Sequence, residues 1–231
     1  MKTQVYRSLA GAVALAAAGL TFSACGSATS TDGPRDSDDA KATLPAAGTS
    51  QVCSPIEVGA LRMAGIADYG ARTPLQLMTQ VDAVVAATLT EISEGYTTKV
   101  DGDAIPYLVA TFRVSTKYTD HAELVHGGSI YLRLDQGPIE VESGEPSFEL
   151  DDFQRALPVG TETVLFLNDV SDEIGTAQIE VLPAGAQLAG APMDGVLLDD
   201  CGTLVGGKDD LHDSWAALKT LDDLKAVLAR G

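Results

Sequence analysis

Three histidines, three cysteines and 33 acidic side chains are the residues in this chain with chemistry to offer. His121, His126 and His212 form no HExxH and no pair at metal-binding spacing. His126-Gly127-Gly128-Ser129 has the composition of an oxyanion-hole loop. A hydrolase of that kind also needs Gly-x-Ser-x-Gly, which lifts its nucleophile on a strained turn, and no serine here has that setting. The tetrapeptide is therefore read as a turn before a strand. Gly202 to Lys208 fits the G-x-x-x-x-G-K spacing of a phosphate-cradling loop. Asp209 follows, where a Ser or Thr hydroxyl would have to hold magnesium, and a carboxylate there repels phosphate. We read a glycine-rich hairpin turn and no nucleotide. Asp209, Asp210, His212 and Asp213 are the densest set of metal-ligand types, with Asp199 and Asp200 close in sequence. Calcium wants oxygens at spaced positions around a turn, and the EF-hand spacing is absent. No metal and no cofactor are expected, and those four residues stay open as a cation site. Carboxylate pairs could serve a glycosidase, but among 33 acids their presence carries no information. No catalytic residue is assigned, and the chain is expected not to be an enzyme.

The N-terminus decides where such a chain sits. Residues 1–24 read as a secretory signal. Lys2 and Arg7 supply positive charge, and Leu9 to Leu20 contains only Leu, Ala, Val and Gly. That run is shorter than the roughly 20 residues a helix needs to span a bilayer. Phe22, Ser23, Ala24 and Cys25 follow directly. This resembles the lipobox of bacterial lipoproteins, with Ser23 and Ala24 as the small pair and Cys25 as the lipidated residue. Phe22 stands where the family usually has Leu. The resemblance implies a diacylglyceryl group, with chains of the palmitate type, on the Cys25 thiol and cleavage just before it. The alternative is an ordinary signal cut near Ala24, with Cys25 a bystander. Residues 25–50 are Gly, Ser, Thr, Ala, Asp and Pro with almost no large apolar side chain, and read as a lipid-anchored flexible tether. Asp36, Asp38 and Asp39 fall inside it and read as solvated linker charge.

The net charge is −18, and the signal holds basic residues only, so the exported part is more acidic still. Such a body repels nucleic acid and anionic lipid head groups. Its expected partners are the membrane, through the lipid on Cys25, and an envelope protein. With Cys25 lipidated, Cys53 and Cys201 remain as an even pair in an oxidising compartment, and a disulfide between them is expected. It would close a loop of about 149 residues, for roughly 5 kcal/mol in the chain-entropy view.

Residues 51–231 read as a single globular domain, rich in strand. Thr73-Pro74 has the form of a helix start, with the helix ending near Gln80. Val81 to Ile92 reads as a buried strand, after which Gly95 and Asp101-Gly102 punctuate a turn. Over Pro106 to Tyr118, Leu108, Ala110, Phe112 and Val114 alternate with Tyr107, Val109, Thr111 and Arg113, the period of a strand with one face on a core. After Gly127-Gly128, Ile130, Leu132 and Leu134 repeat the pattern. Gly137 to Leu157 reads as a polar loop, and Thr161 to Leu167 as a strand buried on both faces. Ile179 to Leu182 and Gly195 to Asp199 are weaker strands, the latter continued by Leu204-Val205 as a hairpin. Trp215, Leu218, Leu221, Leu224, Val227 and Leu228 recur at helical spacing, with Thr220 as cap of a second piece. Tyr69, Tyr96, Tyr107, Tyr118 and Tyr131 are candidates for exposed edges, and Tyr107 and Tyr131 for one shared barrel face.

The fold class is mainly β: a small, partly closed OB-like barrel or a sandwich, with a short N-terminal helix and a C-terminal amphipathic helix. The run "VDAVVAATLTEI", "YLVATFRVSTKY", "GGSIYLRL", "LPVGTETVLFLND" resembles the OB-like barrels of exported bacterial proteins, including the netrin and tissue-inhibitor-like group, over about residues 74 to 170. The resemblance implies a fold. The dense cysteines of that group are missing, so protease inhibition is not implied. The functional expectation is a membrane-anchored, extracytoplasmic binding module of the cell envelope. The alternatives are an envelope hydrolase using carboxylates and an acidic metal-binding lipoprotein.

Overall fold

The alternation along Val81–Ile92 serves two cores at once. The computed structural model describes residues 55–63, 70, 73–100, 103–171, 182–212 and 214–231. In it β1 (Ala83–Val100) turns Ala83, Val85, Ala87 and Leu89 inward and Val84 and Ala86 outward, and all six are buried. β2 (Asp103–Asp120) follows as an antiparallel partner, with Val100 opposite Asp103. The strands therefore run further than the sequence suggests. Gly95 is not a turn residue but lies within β1, at a register shift between Glu94 and Tyr96. A Cβ there would come within 2.6 Å of the Tyr107 carbonyl oxygen, so only glycine allows β2 this close.

β3 (Ser129–Asp135) pairs antiparallel with β2. β4 (Glu162–Asp169) pairs antiparallel with β1. β5 (Leu188–Gly190) bridges the two, parallel to β3 and antiparallel to β4. The order β1-β2-β3-β5-β4 thus returns to β1, a five-stranded ring, and the barrel expectation holds over the sandwich. Closure through β5 is short, two residue pairs on each side. β6 (Val196–Asp200) continues along the same edge of β4 after a Pro192–Gly195 turn, and β7 (Thr203–Gly206) forms a hairpin with it.

Leu108, Ala110, Phe112, Ile130, Leu132, Leu134, Leu165 and Leu167 fill the ring. One change to the expected elements matters here. Residues 137–157 are not all polar loop, because α2 (Leu150–Ala156) ends them and seats Phe153, Ala156 and Leu157 in the ring's core. Its helical signal is brief: Phe153 and Ala156–Leu157 one turn apart, Asp151 and Asp152 in the first turn, Arg155 in the last. Burial, more than propensity, holds so short a helix.

A second core covers the outside of β1, β4 and β6. α1 (Pro74–Met78) starts as expected, with the Gln76 N–H donating to Thr73 Oγ1 at 3.1 Å. The C-terminal stretch breaks into a 3-10 turn, Trp215–Ala217, and α3 (Leu221–Leu228). Thr220 caps α3: Asp223 N–H donates to Thr220 Oγ1 at 3.0 Å, and Thr220 N–H to Asp223 Oδ2 at 3.0 Å. The Lys219 N–H, donating to Asp223 Oδ2 at 3.1 Å, with the Thr220 hydroxyl and N–H, holds the Asp223 carboxyl below its usual pKa. Leu77, Leu221, Leu224 and Leu228 pack on Val84, Val164, Phe166 and Leu197, and the Trp215 ring meets Phe166 edge-on at 5.7 Å.

The second core rests on that aromatic pair. Phe166→Ala is expected to cost about 3–5 kcal/mol in chemical denaturation and to shift the emission of Trp215, the single tryptophan, to the red. Val159→Ala, at a position 69% exposed, should change stability by less than about 0.5 kcal/mol.

Candidate functional site

Past Leu89 the β1–β2 hairpin runs clear of β4, and the chain crosses below it from Gln136 to Leu150. That crossing segment is held to the end of β3 by its backbone. The Phe148 N–H donates to the Gln136 carbonyl at 3.0 Å, and the buried Gln136 Nε2 donates to the Phe148 carbonyl at 3.0 Å. Between the hairpin and this segment lies an open groove of about 440 Å3. Glu94 to Thr97 and Pro106 to Leu108 line one side, and Gln136, Glu145, Pro146, Glu149 and Leu150 line the other. Three carboxylates, Glu94, Glu145 and Glu149, therefore share one concave surface. The walls are strand on one side and a hydrogen-bonded turn running into α2 on the other, so the groove is built before any ligand arrives. The tip of the crossing loop leaves Ile139 38% and Val141 fully exposed beside Glu140 and Glu142.

The tyrosines are arranged differently from the expectation. Tyr107 and Tyr131 do share the outer face of the β2–β3 ladder, but both are buried, at 7% exposure. Tyr96 stacks on Tyr107 with ring centroids 5.1 Å apart, and the Arg133 guanidinium lies 5.0 Å from the centre of the Tyr107 ring. Leu182 and Ala186, from the connection between β4 and β5, pack against this face together with Val170 and Leu188. The aromatic face is thus covered by the chain itself. Tyr118 lies half-buried at the edge of the second core, and burial raises its pKa. Tyr69 lies outside the described residues.

The remaining candidates are dispersed. Asp210 is drawn away from its sequence neighbours by Arg62, at 2.6 Å. His212 Nε2 stands 3.8 Å from Asp209 Oδ2, and Asp213 lies outside the described residues. Among the described residues no three His, Cys, Asp or Glu side chains gather as a metal site. His126 to Ser129 forms the expected tight turn, closed by reciprocal backbone bonds of 2.9 and 3.0 Å. Cys201 occupies the β6–β7 turn at φ +55° and is not a free thiol. Cys25, Cys53, Asp36, Asp38 and Asp39 lie outside the described residues.

One residue was legible in sequence only as the tail of a hairpin. Lys208 is buried at the end of the ring, its Nζ donating to the Ala191 carbonyl at 2.9 Å. Burial lowers its pKa to about 8, the Arg133 charge acts in the same direction, and Asp135 opposes them. A lysine after two glycines carries no pattern that announces burial. Only the fold of β6 and β7 against β3 brings it inside.

Comparison with protein-family models, curated proteins and solved structures gives no match.

Lys208 makes stability depend on pH in a definite direction. Its folded pKa of about 8 lies below the ordinary 10.5, so between these values the unfolded chain binds more protons than the folded one. Stability therefore rises with pH across that window, and the charged amine is a cost below it, of about 3 kcal/mol at most. Urea titrations at stepped pH should show this rise in the parent chain and lose it in Lys208→Met.

Proposed function

We propose that this chain is a lipid-anchored, extracytoplasmic binding module of the cell envelope, with the groove beside the β1–β2 hairpin as its binding surface. The single observation that carries the reading is that groove: about 440 Å3, open, and lined by Glu94, Glu145 and Glu149 on backbone that the barrel already holds rigid. A preformed concavity spends little free energy on ordering when a partner enters. The export signal and the lipobox-like Phe22-Ser23-Ala24-Cys25 support the location. Acyl chains on Cys25 would hold the module at the membrane, with residues 25–50 as tether.

A disulfide between Cys53 and Cys201 belongs to the same reading. The Ile56 N–H donates to Asp200 Oδ1 at 3.1 Å. That bond ties the segment three residues after Cys53 to the residue before Cys201. Cys25 is separated from this point by the whole tether. The bond would fasten the start of the domain to the β6–β7 hairpin. The three carboxylates of the groove are also what would serve the alternative, a hydrolase.

Three measurements test these statements. Labelled palmitate is expected to enter the parent chain and not Cys25→Ala, which should move from the membrane fraction to the soluble one; an unlabelled parent chain would remove the anchor. Peptide mapping without reductant should recover the Cys53 and Cys201 peptides as one species, and recovery of alkylated Cys53 would exclude the bond. A photo-cross-linker at position 145 should capture the same envelope protein in repeated preparations, while one at Val159 should not. No capture from position 145, with the chain still at the membrane and no substrate turned over in a glycoside and peptide panel, would reject both the groove and the hydrolase alternative.

A further inference from the structure

β1 is paired with β2 along its whole length but with β4 only at the start. β4 pairs with Ala83 to Thr88. Leu89 adds two bonds, its N–H to the Thr161 carbonyl at 3.0 Å and its carbonyl from the Gly160 N–H at 2.9 Å. At Gly160, φ +93°, the chain leaves the edge of β1. From Thr90 to Glu94 that edge has no strand beside it among the described residues. Glu91 to Glu94 stay in unbroken register with Thr111 to Leu108, between irregularities at Thr90 and Gly95. The segment is extended and anchored, with Ile92 buried between the exposed Glu91 and Glu94.

An extended edge with unused N–H and carbonyl groups is a template for another strand. Its side chains select which strand. Glu91 and Glu94 flank it, and the groove that begins at Glu94 adds Glu145 and Glu149. A second copy of this chain, with net charge −18, would bring the same acids against them. A basic segment would find opposite charge at the edge and again in the groove.

We propose that the Thr90–Glu94 edge of β1 receives an extended, lysine- or arginine-bearing segment of another protein as an added strand, its basic side chains reaching Glu91, Glu94 and the groove. The inference rests on the binding-module reading and names the class of partner.

The probe is a capped peptide repeating Lys-Lys-Val-Val, which sets lysines on both faces of an added strand, mixed with the full chain at physiological ionic strength. Its controls are a glutamate–valine counterpart and a copy N-methylated at alternate residues. The lysine–valine peptide should slow amide exchange at Thr90 to Glu94 by about tenfold or more. Both controls should fail to do so. Glu91→Lys combined with Glu94→Lys should weaken binding about tenfold, with an unchanged unfolding midpoint as the check on folding. Binding that leaves exchange at Thr90 to Glu94 unchanged, or that the N-methylated peptide matches, overturns the added strand and leaves the groove standing. No binding of the lysine–valine peptide overturns the added strand as well, and the cross-link from position 145 then decides the groove on its own. The N-methylated control needs no variant, so the outcome does not depend on a substituted chain folding.

Discussion

Six residues, Ala83 to Thr88, are held on both edges and both faces. β2 takes one edge and β4 the other. Ala83, Val85 and Ala87 fill the ring, while Val84 and Ala86 lie under α1 and α3. Every backbone donor and acceptor there has a ladder to join, and every side chain except Thr88 is buried. A one-residue slip would exchange the faces and set both cores against the wrong residues, so the register of this strand fixes the register of its neighbours. The small side chains are part of that constraint: two alanines and a valine facing inward let β2 and β4 close around a narrow ring, while Phe112, Phe153 and the leucines supply the volume.

The same strand then changes role along its length. Where β4 turns off at Gly160, β1 continues against β2, which β3 still backs as far as Tyr107, and beyond Tyr96 and Tyr107 the two strands run on as a two-stranded arm. A lone hairpin is only marginally stable in water. This one is steadied at its base by the Tyr96–Tyr107 stack and by Arg133 against Tyr107. The arm, the groove beneath it and the exposed edge share one origin, which is that β1 is much longer than the strand that covers it. The proposed binding surface lies where the barrel's pairing rules run out.

Charge acts on these features in two ways. Spread over the surface, the acids give a net charge of −18, which repels other anions. Gathered at Glu91, Glu94, Glu145 and Glu149, they would deter another acidic edge and steer a basic one. Inside, burial and then the nearby Arg133 charge lower the pKa of Lys208 at the ring's end, and the Ala191 carbonyl accepts a hydrogen bond from its amine. A buried amine with one carbonyl partner is held by the fold at a cost, not a source of its stability.

Periodicity along the chain determined the strands over 83–89, 107–114, 130–134 and 163–167, their inward faces, and the caps at Thr73 and Thr220. Each of these is set by residues within a few positions of one another. The export and lipidation reading of residues 1–25 is likewise local. Tertiary structure decided what depends on distant partners. The helix over Leu150–Ala156 exists because Phe153 and Leu157 close the ring. Gly95 continues a strand because the Tyr107 carbonyl needs the room. Tyr131 is covered because Val170, Leu182, Ala186 and Leu188 pack on its face, Tyr107 is stacked by Tyr96, and Asp210 goes to Arg62 because the chain folds back 148 residues. The groove was not legible at all. Its acids, Glu94, Glu145 and Glu149, are three among 33 until β1, β2 and the crossing loop bring them to one surface.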